Sequence, residues 1–251
     1  MVSAERERLP FSEIETGSLP KHLVFIPDGN RRWAREKGLP EYQGHIAGMK
    51  RVKELILACR QIGITTVTIW AFSTENWDRT ENEVSFLMRA FENFLDENLE
   101  EINGMGANLR WLGNRQEKVS EKFRRKIEEA ERLTASNSQY QLNIALNYGS
   151  RDEIVRAVKK IIKSGVGEEE IDWELIADYL DTAGLDDPDL IIRTGEKTEE
   201  EGKTIHTSGL LALQTIYGRW YVTDTLCPDF SEAELTKALK EFAKSKPRFG
   251  R

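Results

Sequence analysis

The side chains with the clearest chemical potential lie just after an apolar run at 23–26, which is typical of a buried strand. The chain then turns at 27–30, where Asp28 stands, and opens a short helix with Arg31 and Arg32. Free backbone N–H groups and the helix dipole would both face this turn and favour an anion. Two arginines in the first turn of a helix are unfavourable because of the dipole, so their presence indicates that a polyanion binds there. Asp28 can hold the metal ion that a polyanion carries. The pattern predicts a phosphate site, although Asp-Gly-Asn is also ordinary turn chemistry.

Apolar runs of strand character alternate with segments of helical periodicity along the chain. This alternation predicts an α/β fold in which a single domain over residues 21–251 follows an N-terminal segment, 1–20, and has a central, mostly parallel six-stranded sheet flanked by helices. Ligands of such sheets bind beyond the carboxyl ends of the strands, which is where Asp28, Ser73, Asn147 and Arg193 fall. The predicted strands are 22–26, 66–72, 108–112, 141–146, 190–193 and 220–223, and the predicted helices are 31–37, 47–62, 83–102, 117–133, 152–163 and 173–180.

Charge and cysteine usage limit the function classes. The chain of 251 residues has a formal net charge of −7, which argues against a nucleic-acid partner because such domains carry a basic excess. An anionic substrate would therefore need local clusters of arginine. No apolar run approaches the roughly 18–20 residues of a membrane span, and the charged N-terminus lacks a signal-peptide core, so we expect a cytoplasmic protein. Cys59 and Cys227 show no metal-ligand spacing and are interpreted as reduced packing residues.

A set of short motifs occurs in order along nearly the whole chain from residue 22. The motifs are KHLVFIPDGNRRW at 21–33, AFSTENW at 71–77, NIALNYG at 143–149, DLIIRTG at 189–195, PDF at 228–230 and RFG at 248–250. Together they resemble the signature of the cis-prenyltransferases, the family of undecaprenyl diphosphate synthase and dehydrodolichyl diphosphate synthase. The resemblance implies an enzyme that joins an allylic prenyl diphosphate to a C5 isoprenyl diphosphate with Mg2+ as cofactor. It also implies a hydrophobic prenyl tunnel, so the apolar stripe of 83–102 is either the tunnel wall or ordinary core packing.

The resemblance assigns a first substrate site to the anion-binding turn. Asp28 would bind Mg2+ bridging to the pyrophosphate and would act in catalysis together with Asn30 and Ser73. His45 would lie near the pyrophosphate, whereas as an isolated residue it is more simply a helix-cap or packing histidine. Without the resemblance, the residues around Ser73 would be plain turn formers. The residues expected to bind the allylic substrate or organise its transfer are Gly29, Asn30, Arg31, Arg32, His45, Glu75, Asn76 and Arg79.

The second substrate site departs from the family pattern. In family members, a short turn comes after the strand that corresponds to the one ending at Arg193. An Arg and a Ser then clamp the second pyrophosphate, and a Glu further along takes part in magnesium binding. Here the turn is lengthened over 196–205, and the three positions hold His206, Ser208 and Arg219. The Arg219 guanidinium would contact pyrophosphate directly, or it pairs with a carboxylate and the site is degenerate. Gly209 and Leu213 replace the usual Asn and Trp, and Glu41 replaces an Arg of the first site.

The altered second site leaves the acceptor open. We expect a short-chain enzyme that accepts dimethylallyl diphosphate in a non-head-to-tail condensation, as in lavandulyl-type members of the family. The alternatives are ordinary head-to-tail elongation with isopentenyl diphosphate and a non-catalytic subunit, although such subunits lose the Asp motif that this chain keeps. The family also implies a homodimer in which Arg248 and Gly250 reach the active site of the partner. Peripheral contact with a membrane is expected because prenyl products are apolar.

Overall fold

A parallel sheet forms the centre of the molecule. The structure is a computed structural model that describes residues 18–196 and 207–244, and within them six strands follow the order β3-β4-β2-β1-β5-β6. Every neighbouring pair is parallel, which confirms the predicted sheet. The strands are β1 (His22–Ile26), β2 (Thr66–Ser73), β3 (Ala107–Leu112), β4 (Tyr140–Tyr148), β5 (Leu190–Arg193) and β6 (Arg219–Val222).

Seven α-helices accompany these strands in the described part of the chain. They are α1 (Asn30–Glu36), α2 (Glu41–Ile62), α3 (Glu81–Gly104), α4 (Glu121–Thr134), α5 (Ser150–Ser164), α6 (Trp173–Tyr179) and α7 (Glu232–Lys244). Short 3-10 segments occupy Thr74–Asp78, Glu168–Glu170 and Cys227–Asp229. Among the described residues, none of the helices combines the length and the apolar character that crossing a membrane requires.

Two predicted helix starts need correction. The second helix begins at Glu41, directly after Pro40, and not at 47. The sequence prediction missed this start because the first turn of the helix has no apolar periodicity. The fourth begins at Glu121 and not at 117, because the Ser120 side chain accepts a hydrogen bond from the Phe123 N–H at 3.2 Å and caps the helix there.

The last helix, α7, is absent from the sequence prediction although its pattern was available. Leu235, Ala238, Leu239 and Phe242 have the i, i+3, i+4, i+7 spacing of one helix face, and all four are buried. This face packs into the main core, which places α7 against the sheet.

The central strand β1 is buried on both faces because successive side chains alternate between them. Leu23 and Phe25 pack into the core that contains α2 and α7, whereas Val24 and Ile26 pack on the opposite side of the sheet. An uninterrupted apolar run is the signature of such a strand. Cys59 and Cys227 are free and buried, as predicted, and burial raises the pKa of Cys59 to about 12.

Candidate active site

The turn between β1 and α1 is held in place by residues that are distant in sequence. The Asp28 N–H donates to Thr194 Oγ1 at 2.9 Å, and the Asp28 carbonyl accepts a hydrogen bond from the Cys227 N–H at 3.0 Å. Gly29 has a φ of 94°, and a Cβ atom on it would lie 2.8 Å from the side chain of Leu226. Glycine is therefore required here both for the backbone conformation and for space. The turn between β1 and α1 is therefore fixed by contacts with the residues that follow β5 and with the segment that precedes α7.

The Asp28 carboxylate meets Arg193, the last residue of β5. Asp28 Oδ2 lies 3.0 Å from Arg193 Nη2, and its Oδ1 accepts a hydrogen bond from the Gly29 N–H at 2.6 Å. Arg193 also donates to Ser208 Oγ at 2.5 Å and lies 2.9 Å from Glu196 through its Nε. The side chain of Arg193 is 9% exposed whereas that of Asp28 is 45% exposed. The predicted site residues Asp28, Arg193 and Ser208 are therefore adjacent, with the carboxylate open to solvent.

Three further cationic or titratable groups converge on Glu83, in the first turn of α3. Arg79 donates to Glu83 Oε1 at 3.0 Å, His45 Nε2 lies 3.4 Å from the same oxygen, and Arg31 Nη1 lies 3.5 Å from Oε2. Burial lowers the pKa of His45; Glu83 opposes this shift and Arg79 adds to it. The ring is therefore neutral near pH 7. Arg32, the remaining arginine of the turn, donates to the Gly195 carbonyl at 2.9 Å.

The turn after β2 carries the third group of predicted residues. Ser73 is buried, and its N–H donates to Asn76 Oδ1 at 3.2 Å. Trp77 donates through its indole nitrogen to Asn147 Oδ1 at 2.7 Å, and Asn147 Nδ2 donates to the Asn114 carbonyl at 2.8 Å. Asn147, at the end of β4, therefore connects this turn to the loop that follows β3 through two hydrogen bonds. Ser73, Glu75 and Asn76 all line the cavity described next.

A cavity of about 650 Å³ joins these groups. At one end it is lined by polar and cationic side chains that include Asp28, Arg31, His45, Arg79 and Arg193. From there it continues as a mainly apolar channel between α2, α3 and the sheet. Phe91 and Phe94 of α3 line it, whereas Phe86 contacts Tyr42 with ring centroids 5.6 Å apart. The stripe of α3 is thus partly channel wall and partly core. The apolar lining includes Val52, Ile56, Leu57, Phe72, Leu87, Phe91, Phe94, Leu95, Ile102, Leu109, Trp111 and Leu146.

The structure does not bring Arg219 to this cavity. Arg219 opens β6 opposite Leu190, whereas Arg193 is paired with Val222, so Arg219 lies about 10 Å from the site end of the sheet at ~3.3 Å per residue. Its Nη1 donates to the Phe242 carbonyl at 2.7 Å, and its guanidinium lies 3.8 Å from the centroid of the Phe242 ring. In this chain the guanidinium therefore packs against α7, which corrects the placement expected from the sequence. His206, Arg248 and Gly250 lie outside the described residues.

Comparisons with known proteins agree with this geometry. Residues 26–250 match the family described as undecaprenyl diphosphate synthase. This chain belongs to the cis-prenyltransferase family. It is 38% identical over 245 residues to a tritrans,polycis-undecaprenyl-diphosphate synthase (geranylgeranyl-diphosphate specific) of Thermococcus kodakarensis, covering 95% of this chain and 90% of the relative. An isoprenyl transferase of Aquifex aeolicus is 39% identical over 234 residues, covering 93% and 96%.

Among solved structures, this cis-prenyltransferase is similar to lavandulyl diphosphate synthase from Lavandula x intermedia in complex with dimethylallyl diphosphate. The TM-score is 0.85 at 30% sequence identity, and the match covers 94% of this chain and all of the other. Both the sequence family and the fold therefore identify the chain as a prenyltransferase enzyme.

The donor set of this cis-prenyltransferase limits how a magnesium ion would be held. Within 18–196 and 207–244 there is no group of three or more His, Cys, Asp or Glu side chains that would cage a metal. Asp28 offers a half-exposed carboxylate at the polar end of the cavity. Mg2+ commonly binds through one or two carboxylates together with substrate phosphates and water. The residues present therefore fit a magnesium ion that arrives with a diphosphate.

Two acidic residues of the site are missing from the sequence prediction. Glu83 has a local signal, because the Thr80 side chain accepts a hydrogen bond from the Glu83 N–H, but this spacing indicates only a helix start. Glu196 stands at the edge of the lengthened loop, where a charge-dense sequence is typical of solvated chain. Their contacts with arginines depend on tertiary structure.

Proposed function

We propose that this cis-prenyltransferase transfers an allylic prenyl group from its diphosphate to a C5 isoprenyl diphosphate and releases a short-chain product. The observation that carries the proposal is the cluster of arginines at one end of a cavity whose remaining lining is mostly apolar. A diphosphate fits the first part and a hydrocarbon chain fits the second. A ligand that has both parts is a prenyl diphosphate.

The proposed reaction breaks the allylic C–O bond, and the electron pair leaves with the pyrophosphate. The alkene of the acceptor then attacks the allylic carbon, and the proton lost from the adduct passes to the released pyrophosphate. Arg31, Arg32 and Arg79 stabilise the charge that develops on the leaving group, and Gly29 lines the same end of the cavity. When bound at Asp28, Mg2+ would add electrostatic stabilisation of that charge. The apolar channel excludes water from the allylic cation.

Asn30 and Ser73 have roles in orientation in this proposal. Both line the cavity beside the arginine cluster, and neither carries a charge that could compete with the diphosphate. Glu75 and Asn76 shape the same wall. Holding the two reacting carbons within contact distance supplies a large part of the rate enhancement in a two-substrate reaction.

For the acceptor we propose binding at Arg193 and Ser208, with dimethylallyl diphosphate as an acceptor in a non-head-to-tail condensation. Glu196 lies 2.9 Å from Arg193 Nε, so an acceptor pyrophosphate must compete with a carboxylate for this guanidinium. The similarity to a lavandulyl diphosphate synthase bound to dimethylallyl diphosphate supports this regiochemistry. The names of the archaeal and bacterial relatives favour the alternative, head-to-tail elongation with isopentenyl diphosphate.

A short product is supported by the shape of the channel. On α3 the lining of the channel runs from Leu87 to Ile102, a distance of about 22 Å at ~1.5 Å per helical residue. Phe91 and Phe94 occupy part of this length, and Lys53 and Glu101 form an ion pair of 2.7 Å at the far end. The growing chain would therefore meet aromatic rings and then charged groups.

We also propose that the enzyme is a homodimer. Val155, Val158 and Ile162 form an apolar stripe on α5, and they are 50%, 47% and 73% exposed. An exposed stripe of this kind is typical of a helix that is covered in an assembly. Ile162→Lys should shift the protein from dimer to monomer in analytical ultracentrifugation, whereas Ile171→Lys, on an exposed apolar residue outside α5, should not. A monomeric wild-type protein would contradict this part of the proposal.

The direct test is to incubate purified protein and Mg2+ with pairs of radiolabelled isoprenyl diphosphates and to analyse product length and branching. Dimethylallyl diphosphate alone should give a branched C10 product if the acceptor proposal holds. Linear products formed only with isopentenyl diphosphate would establish the alternative. If the active site is shared, mixing Asp28→Ala with Arg248→Ala should restore part of the activity through hybrid dimers. No turnover of any pair by the wild-type protein would leave the family's non-catalytic subunit as the function.

A further inference from the structure

Two glycines on α2 lie directly under Asn30, the first residue of α1. A Cβ atom on Gly44 would stand 2.0 Å from the Asn30 carbonyl oxygen, and a Cβ atom on Gly48 would stand 2.1 Å from Asn30 Oδ1. Both distances are far below any van der Waals contact. The two residues are about one helical turn apart and lie on the same face of α2. Because neither has a side chain, the backbone and the side chain of Asn30 can pack directly against the helix.

The orientation of the Asn30 amide follows from its other contact. Nδ2 donates to the Pro27 carbonyl at 2.9 Å, so the oxygen must point the other way, towards Gly48. Asn30 Oδ1 is buried and has no hydrogen-bond partner in the described structure. The hydrogen that Gly48 carries in place of a side chain points at this oxygen, a weak Cα–H···O contact. The amide therefore ties the phosphate-binding turn to α2 through a position where only glycine fits.

We propose that Gly44 and Gly48 are positioning residues for catalysis. They set the depth at which Asn30 sits on α2, and Asn30 in turn fixes the turn that carries Asp28, Gly29 and the first arginines. The inference rests on the proposed function, because the turn is taken as the site of the allylic diphosphate. It assigns to Asn30 the role of bracing the turn through Pro27 and Gly48.

The two glycines differ in what an added methyl group would strike, which gives a sharp experiment. In Gly48→Ala the conflict is with the Asn30 side chain and can be relieved by Asn30→Ala. In Gly44→Ala the conflict is with the Asn30 backbone carbonyl, so truncating the side chain cannot relieve it. Gly104→Ala, at the end of α3, is the matched control because nothing lies within 4 Å of the added Cβ. Alanine favours a helix over glycine by up to about 1 kcal/mol, so helix propensity does not explain a loss.

We expect Gly48→Ala to lower kcat/KM for the allylic donor by about 10- to 100-fold, since displacement of a site by ~1 Å has effects of this size. The dissociation constant of inorganic pyrophosphate, measured by calorimetry, should rise at least about tenfold. In the Asn30→Ala background the same change should alter both quantities less than about threefold, whereas Gly44→Ala should retain its cost there. Gly104→Ala should match the wild type.

Folding is followed separately by circular dichroism and melting temperature. A variant that is merely less stable keeps the wild-type kcat and pyrophosphate affinity in its folded fraction, and this result for Gly48→Ala would overturn the inference. An equal loss for Gly48→Ala with and without Asn30→Ala would also overturn it. If the wild-type protein transfers no prenyl group, the proposed function fails, while the pyrophosphate titrations still decide whether the glycines position the turn.

Discussion

Glu83 provides the most informative single substitution, because it faces two arginines and a neutral histidine from a nearly buried position. Its side chain is 14% exposed, and the atoms of Arg31, His45 and Arg79 lie 3.5, 3.4 and 3.0 Å from its oxygens. Glu83→Gln keeps the size of the side chain and removes its charge. The folded protein should lose stability, and the affinity for pyrophosphate should increase, because the carboxylate both neutralises the arginines and competes with the ligand for them.

The size of both effects follows from the geometry. At an effective dielectric constant of about 20, each arginine attracts the carboxylate by roughly 5 kcal/mol before desolvation is counted. Arg31 is 43% and Arg79 26% exposed, so solvent screening and desolvation reduce the net contribution to about 2 kcal/mol. For a chain of this size this corresponds to a fall in melting temperature of about 4–8 °C. Removing the competing charge should lower the pyrophosphate dissociation constant about five- to thirtyfold, or about 1–2 kcal/mol.

The assay combines thermal unfolding with pyrophosphate calorimetry at fixed ionic strength. Glu81→Gln is the matched control, because Glu81 lies in the same helical turn and is exposed. It should change neither quantity. A weaker pyrophosphate affinity in Glu83→Gln would refute the reasoning, since Glu83 would then hold the arginines in their binding positions and not compete for them.

Asp28→Ala should abolish turnover in a folded protein, since losing one electrostatic contact to a developing charge costs about 2.7–4 kcal/mol in the barrier; near wild-type kcat would contradict the proposed mechanism. Burial lowers the pKa of His22 from its ordinary value of 6.5, so the unfolded chain binds the proton first and stability should fall as the pH drops below about 6.5; urea unfolding at pH 7.5 and 5.5 should show a smaller difference in His22→Gln. Arg219→Ala removes a hydrogen bond and a cation–π contact with Phe242, so it should lower the melting temperature while the KM of the acceptor stays within about twofold; a large rise in that KM would return Arg219 to the active site.

The sequence by itself determined the order of the elements and the edge of the sheet at which chemistry occurs. The apolar run of β1 has no polar alternation, which is what a strand covered on both faces requires. Because parallel strands place their carboxyl ends at one edge, Asp28, Ser73 and Arg193 could be assigned to a common site before any contact was known. The periodicities of 2 and 3.6 residues are local properties, so these conclusions needed no tertiary information.

Only the tertiary structure decided which groups meet within that edge. Glu83 has an ordinary helix-start pattern, and its contact with Arg31 and His45 depends on how α1, α2 and α3 cross. Arg219 occupies the position of a family site residue in the sequence, yet the register of β6 against β5 places it at the amino end, against Phe242. Crossing depth and register are set by packing between elements that are far apart in the chain, where a difference of one methyl group or one residue changes the outcome. The spacing of residues along the sequence therefore cannot predict these contacts.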